Sequence, residues 1–221
     1  MIKYHPYESM LVAFAAGELP TSLTIAVSAH AEMCPECQAK IDRYTEMLAE
    51  KAFNSVEEIS SPLTDSFSGM LSRIFDSPQS ADEPRLAPSP PATITVCGDV
   101  YALPRSLRRF SDLGWSSIGP ISRARLPLNE EPVRSSLLHI QADASVPTHT
   151  HSGYELTLLL DGEFEDENDK YIPGDFIWLD SQHHHTPFTK DGCLCYTVAD
   201  APLHFTKGAS KLLNAVGNVI Y

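Results

Sequence analysis

Two groups of side chains with metal-ligand chemistry lie on either side of a proline-rich segment. The first is His5, His30, Cys34 and Cys37; the second is His149, His151 and Glu155 with one of the histidines in the run 183–185. His30 and Cys34 are four residues apart and Cys34 and Cys37 three apart, spacings that turn side chains to one side of a helix or a helix start. His5, ahead of the first apolar segment, can close a tetrahedron if the helices pack side by side. Two thiolates and two imidazoles form a set that zinc favours, and four ligands leave no open position in a structural site. Zn²⁺ held there would supply stability that a small helical core lacks. The competing readings are buried thiols at a helix junction with His5 on the surface, or a thioredoxin-type redox pair. The strands of a thioredoxin fold are missing around this motif.

The second group has a strand-like context. Residues two apart on a strand share one face, so His149 and His151 can point together, and Glu155 can join them from the start of the next strand. Three imidazoles and a carboxylate bind Zn²⁺, Fe²⁺ or Mn²⁺, so the ligand types leave the metal open. A metal-free polar pocket is the alternative. Cys193 and Cys195 also share a strand face, but their Cα atoms would be about 6.5–7 Å apart, at the edge of disulfide reach. A direct disulfide is not expected, and Cys97 is expected to be a packing residue. His139 and His204, which lack any such spacing, read as strand or edge residues.

These groups need elements to hold them. Leu11, Phe14 and Ala15 give a short apolar face ending near Gly17, and a second apolar segment runs from Leu23 toward His30. Pro35 suits the first turn of a third helix, where a missing N–H costs nothing, and that helix carries Cys37, Ile41, Tyr44 and Leu48 at helical spacing. Leu63, Phe67, Met70, Leu71, Ile74 and Phe75 predict a fourth helix with a wide apolar stripe. A domain of this size has limited core of its own. The stripe either packs on the first three helices or is reserved for another protein.

Pro78, Pro84, Pro88, Pro90 and Pro91 mark an extended spacer. Beyond it the pattern changes to short apolar runs bounded by Gly, Pro and Asp: Thr93–Val96, Leu137–Gln141, Glu155–Leu160, Phe176–Leu179 and Cys195–Val198. Turns are expected at Asp161-Gly162 and at Pro173-Gly174-Asp175. The predicted organisation is a helical domain over 1–76, a linker over 77–92, an antiparallel β-barrel over 93–204 and a tail over 205–221, in which Lys211–Ala215 could form one helical turn. The fold class is therefore multidomain α and β.

The net charge of −13 argues against direct contact with nucleic acid or an anionic membrane. The first 80 residues hold eleven acidic against five basic side chains, a local charge of −6 that can steer a basic protein partner. No charged-then-apolar leader and no bilayer-length apolar stretch is visible, so a cytoplasmic location is expected. Five cysteines, two of them at ligand spacing, do not suggest a secreted disulfide framework.

His5 followed by His30-x-x-x-Cys34-x-x-Cys37 resembles the zinc-binding anti-sigma domain, a small helical domain that holds a sigma factor inactive. His149-x-His151-x-x-x-Glu155 followed by Gly162 has the spacing of the first cupin motif. The offset from Gly174-Asp175 then selects His185 as the returning ligand of the second motif and leaves His183 and His184 facing solvent. The combination is similar to the ChrR-type anti-sigma factors over nearly all 221 residues. The resemblance implies a jelly-roll cupin, sequestration of a group IV, extracytoplasmic-function-type sigma factor, and a cupin domain that serves the response to singlet oxygen or related oxidants. It implies no catalytic residues, and it makes Cys193 and Cys195 candidates for redox chemistry. Phe67, Met70, Leu71 and Ile74 would supply apolar contact to the sigma factor. The rival reading is a metal-dependent cupin dioxygenase-like enzyme with an amino-terminal zinc regulatory module.

Overall fold

The computed structural model describes residues 1–54, 65–78 and 92–206. Four helices come first: α1 (Glu8–Ala16), α2 (Thr21–Met33), α3 (Pro35–Asn54) and α4 (Asp65–Asp76). Strands follow as β1 (Thr93–Val96), β2 (Asp99–Ala102), β3 (Ser116–Ile118), β4 (Ile121–Leu126), β5 (Arg134–Ile140), β6 (Ala144–Ser145) and β7 (His149–His151). The remainder are β8 (Glu155–Gly162), β9 (Phe164–Glu165), β10 (Lys170–Tyr171), β11 (Phe176–Leu179), β12 (Phe188–Thr189), β13 (Cys193–Ala199) and β14 (Leu203–Phe205). Leu63 of the expected fourth helix, most of the linker and the Lys211–Ala215 turn lie outside the described residues. By compactness, residues 1–45 group with 91 onward, and residues 46–90 form a second unit.

All strand pairing among the described residues is antiparallel, in sheets ordered β11-β8-β13-β5-β4-β3, β10-β9-β12-β6, β14-β7 and β1-β2. The cupin class holds, although these sheets are open ladders and not one ladder closed on itself. A short 3-10 helix, Arg105–Phe110, leads into the large sheet. Asp161-Gly162, expected as a turn, stays paired: Leu194 faces Asp161 while Cys195 faces Leu159, which leaves Leu160 as the extra residue of a bulge. Gly162 has φ +76°, and a Cβ there would collide with the Gly192 carbonyl, so the position accepts only glycine.

The alternation of the large sheet decides what each face does. On one face lie Phe176, Trp178, Leu156, Leu158, Tyr196, Val198, Leu137, Ala124 and Leu126, which form a common core with Leu11, Ile25, Val27, Ile41 and Tyr44 of the helices. The Tyr196 hydroxyl donates to the Ser22 carbonyl at 3.0 Å. On the other face Leu159, Ile177, Leu179, Cys193 and Cys195 pack with Ala144, Phe164 and Tyr171. β13, covered on both sides, is buried at six of its seven positions, which is why it reads as a continuous apolar run.

Loops of the large sheet finish the helices. α2 begins after Pro20, which offers no side-chain cap. The Glu130 carboxylate instead accepts the N–H groups of Thr21 at 2.5 Å and Ser22 at 3.1 Å, placing negative charge at the positive end of the helix.

Candidate metal centres

In the first centre, α2 delivers His30, the α2–α3 junction delivers Cys34, the first turn of α3 delivers Cys37, and the segment ahead of α1 delivers His5. All four ligand atoms lie within 4.8 Å of one another. His5 Nδ1 is 3.5 Å from Cys34 Sγ and 3.4 Å from Cys37 Sγ. A tetrahedral zinc about 2.3 Å from sulfur and about 2.0 Å from nitrogen sets such atoms about 3.5 Å apart. His30 Nδ1 donates to the Gly174 carbonyl at 2.7 Å, which fixes the tautomer and leaves a lone pair on Nε2. That Nε2 is buried with no hydrogen-bond partner among the described residues. An orphaned lone pair beside two thiols is what a zinc ligand looks like, and the set fits the ion.

Electrostatics keeps these ligands in metal-binding form. Burial is the main cause that lowers His30 to a pKa of about 4, so the imidazole is neutral at pH 7. Burial first, and the neighbouring Cys34 second, push the Cys37 thiol up to about 12. A thiolate at this position requires a cation to stabilise it.

The segment 173–175 between β10 and β11 ties this centre to the sheet. Buried Asp175 accepts the N–H groups of Lys3 at 2.7 Å and Tyr4 at 3.1 Å through one oxygen, and that of Ile172 at 2.9 Å through the other. The Phe176 N–H donates to the Tyr4 carbonyl at 2.9 Å, and the Phe176 ring meets the His30 ring edge-on, with centroids 5.7 Å apart. Lys3 adds an ion pair to Asp169 at 2.6 Å. The backbone immediately ahead of His5 is thereby held by the sheet.

The second centre brings together His149 and His151 of β7, Glu155 at the start of β8 and His185, again with ligand atoms within 4.8 Å. His185 bridges to His149 through reciprocal backbone hydrogen bonds. His149 Nδ1 donates to the Pro147 carbonyl at 2.9 Å, and His185 Nδ1 donates to Asp166 Oδ2 at 3.2 Å. Both Nε2 atoms then carry lone pairs, yet they lie 2.9 Å apart. Two lone pairs at that separation repel unless a cation sits between them, so this set fits a metal as well. His151 Nε2 is 3.3 Å from His185 Nε2 and 3.5 Å from Glu155 Oε2. Octahedral ligands at about 2.1 Å are about 3.0 Å apart and tetrahedral ones about 3.4 Å, so the spacing leaves the metal open. Burial lowers His149 to about 4 and His151 to about 3, keeping both neutral.

Asp166 was not found by sequence reasoning. It lies in the acidic run 163–169, whose composition reads as a solvated loop, yet its side chain is buried. Burial pushes its pKa up, but hydrogen bonds from His185 and from the N–H groups of Asn168 and Asp169 outweigh that and hold it below the ordinary carboxylate range. Gly174 and Asp175 were read as a turn, a strand start and the anchor of the second cupin motif, not as partners of the helical segment. Their partners lie 144 to 172 residues away, and no local pattern carries that.

The remaining candidates divide. His183 and His184 are exposed. His139 is buried on β5 with Nε2 3.0 Å from the Tyr101 hydroxyl, and His204 is exposed on β14. Cys193 and Cys195 are buried free thiols facing the second centre's side of the sheet. Cys97, expected to pack, is exposed: it and Gly98, at φ 53° and 100°, form the two-residue turn of the β1–β2 hairpin. On α4, Phe67, Met70, Ile74 and Phe75 are 43%, 41%, 59% and 81% exposed, with Leu71 half-buried.

Residues 104–202 match the family model described as the ChrR cupin-like domain. Over 219 residues the chain is 33% identical to the anti-sigma-E factor ChrR of Cereibacter sphaeroides, covering 96% of each. It is also similar to a chain of the crystal structure of Rhodobacter sphaeroides SigE in complex with the anti-sigma ChrR. That likeness has a TM-score of 0.65 at 28% identity and covers 90% of this chain and 100% of that one.

Proposed function

We propose that this chain, which belongs to the ChrR family of anti-sigma factors, sequesters a group IV sigma factor and thereby represses transcription. The observation that carries this reading is the likeness to the whole of a ChrR chain solved on SigE. The helical segment 1–76 is the partner-binding domain, and 93–204 is the cupin. Zinc held by His5, His30, Cys34 and Cys37 keeps α1, α2 and α3 in one arrangement, and Phe67, Met70, Leu71 and Ile74 of α4 contribute apolar contact. The acidic charge of the first 80 residues raises the encounter rate with a basic partner more than it raises affinity. The working location is the cytoplasm, where sigma factors act.

The cupin serves the response to singlet oxygen or related oxidants through a divalent metal held by His149, His151, Glu155 and His185, with Cys193 and Cys195 as further oxidation targets. Release of the partner requires a signal that acts differently on the bound and free states. β11 offers the route. Phe176 and Trp178 face the helices, where the Trp178 ring lies 6.4 Å from that of Tyr7, while Ile177 and Leu179 face the second centre's side. A shift of this strand acts on both centres at once.

Co-expression with candidate sigma factors, pull-down and metal analysis on the same sample test the reading. The Cys34→Ser, Cys37→Ser double variant should lose zinc and capture together, and full capture by the zinc-free protein would refute their coupling. A variant with His149, His151 and Glu155 replaced should hold the sigma factor but fail to release it under singlet oxygen. The dioxygenase-like alternative draws on the cavity beside His149, Glu155 and His185. Iron in that centre together with turnover of a substrate would establish it.

A further inference from the structure

The strand register grades the sheet face that looks away from the helices. At one end Ile118 of β3, Ile121 of β4 and Ile140 of β5 stand side by side. The next row sets Arg123 beside Leu138 and Cys195, the third sets Arg125 in line with Thr157 and Ile177, and the last joins Arg134 to Glu155 and Leu179. Members of all four rows line one cavity of about 730 Å³, within the size range of small-molecule sites. Ile140 and Arg134 lie six residues apart on β5, about 20 Å along a strand. The chamber is therefore long, with isoleucines at one end and the second centre at the other.

Its opening is at the isoleucine end. Ile118 belongs to the edge strand and is 55% exposed, whereas Ile140, Ile177 and Leu179 are buried. The charged side chains of the wall are already engaged. Arg134 pairs with Glu131 at 3.8 Å, and Arg123 and Arg125 have interactions of their own within the protein. Glu155 and Asp166 serve the second centre, where their two negative charges offset a divalent ion. A charged guest would be desolvated among apolar walls with no unengaged counter-charge to receive it. A hydrocarbon chain loses no hydrogen bonds on entering and gains by leaving water.

We infer that this cavity is a binding site for an uncharged aliphatic molecule of medium chain length, with its chain over Ile121, Ile140 and Leu138 and a small polar end, such as a hydroxyl, directed toward Thr157. A wall graded from apolar to polar suits a guest that is hydrocarbon along most of its length and forms one or two hydrogen bonds at its end. Sugars and nucleosides need many polar partners, and most of the lining is apolar. The site uses none of the residues assigned to sigma-factor contact, so it stands or falls independently of the anti-sigma reading.

The test is calorimetric titration of the metal-loaded full chain with hexanol, octanol, decanol and decanoate. Each added pair of methylenes should tighten binding about tenfold. Decanol should bind one to one and at least tenfold tighter than decanoate. Ile121→Trp shortens the chamber at its isoleucine end, so it should weaken decanol at least tenfold and leave hexanol unchanged. Metal content and thermal unfolding establish that the variant is folded; if it fails to fold, the series on the native chain decides. Affinity that does not rise with chain length, decanoate bound within tenfold of decanol, no saturable binding of decanol, or equal effects of Ile121→Trp on hexanol and decanol would each overturn the inference.

Discussion

His30 Nδ1 donates to the carbonyl oxygen of Gly174 across 2.7 Å, so a candidate zinc ligand of the helical segment takes its orientation from a turn of the cupin sheet. Gly174 has φ +97°, a backbone conformation that other L-residues adopt only under strain. The two halves of the sequence meet at that bond.

Gly174→Ala should therefore act on zinc it does not touch. Displacing the turn costs His30 its hydrogen bond, and loss of such an outer partner weakens metal affinity about 10–100-fold. Chelator competition followed with a chromogenic zinc indicator measures this. Unchanged affinity in the folded variant would show that His30 does not depend on the turn.

Asp166→Asn should loosen the second centre without disturbing the first. The amide keeps the shape but loses the charge that holds His185 Nδ1 at 3.2 Å. Metal analysis after dialysis against a mild chelator should find amino-terminal zinc retained and cupin metal depleted. Equal retention of both metals would remove Asp166 from the account.

Acidification should destabilise the metal-free chain within a defined window. In the unfolded chain histidine titrates near 6.5, whereas in the fold burial lowers His30 and His149 to about 4 and His151 to about 3. Between those values the unfolded state binds more protons, so stability falls as pH falls, by at most about 1.4 kcal/mol per pH unit for each histidine. Below about pH 3 the folded state is protonated too and the slope ends. Urea midpoints of the chelated protein at pH 7.5, 6 and 5 should decline steadily, and a flat series would contradict the burial argument.

Met70→Asp with Ile74→Asp should weaken sigma-factor capture and leave the thermal midpoint within about a degree of the parent, because both side chains are exposed and surface changes seldom move stability by more than about 0.5 kcal/mol. Surface-captured binding kinetics should show the loss chiefly as faster dissociation. Undiminished capture would place the contact elsewhere.

Local chemistry made much of this protein legible in its sequence. Helical spacing at His30, Cys34 and Cys37, strand spacing at His149 and His151, Pro35 at a helix start and the apolar stripe of α4 are all short-range patterns. They predicted elements and ligand sets that the tertiary structure brings together. Alternation along a strand, however, says that two faces differ and not which neighbour each one meets. Only the packed sheet turned Arg123 and Arg125 toward a cavity, buried Asp166 behind His185, and kept Asp161-Gly162 paired where a turn was expected. Likewise the carboxylates that finish α2 and hold the segment ahead of α1, Glu130 and Asp175, act across 108 to 172 residues. Such hydrogen bonds form because buried backbone N–H groups must be satisfied by whatever acceptor the fold brings near, and sequence spacing carries no record of that distance.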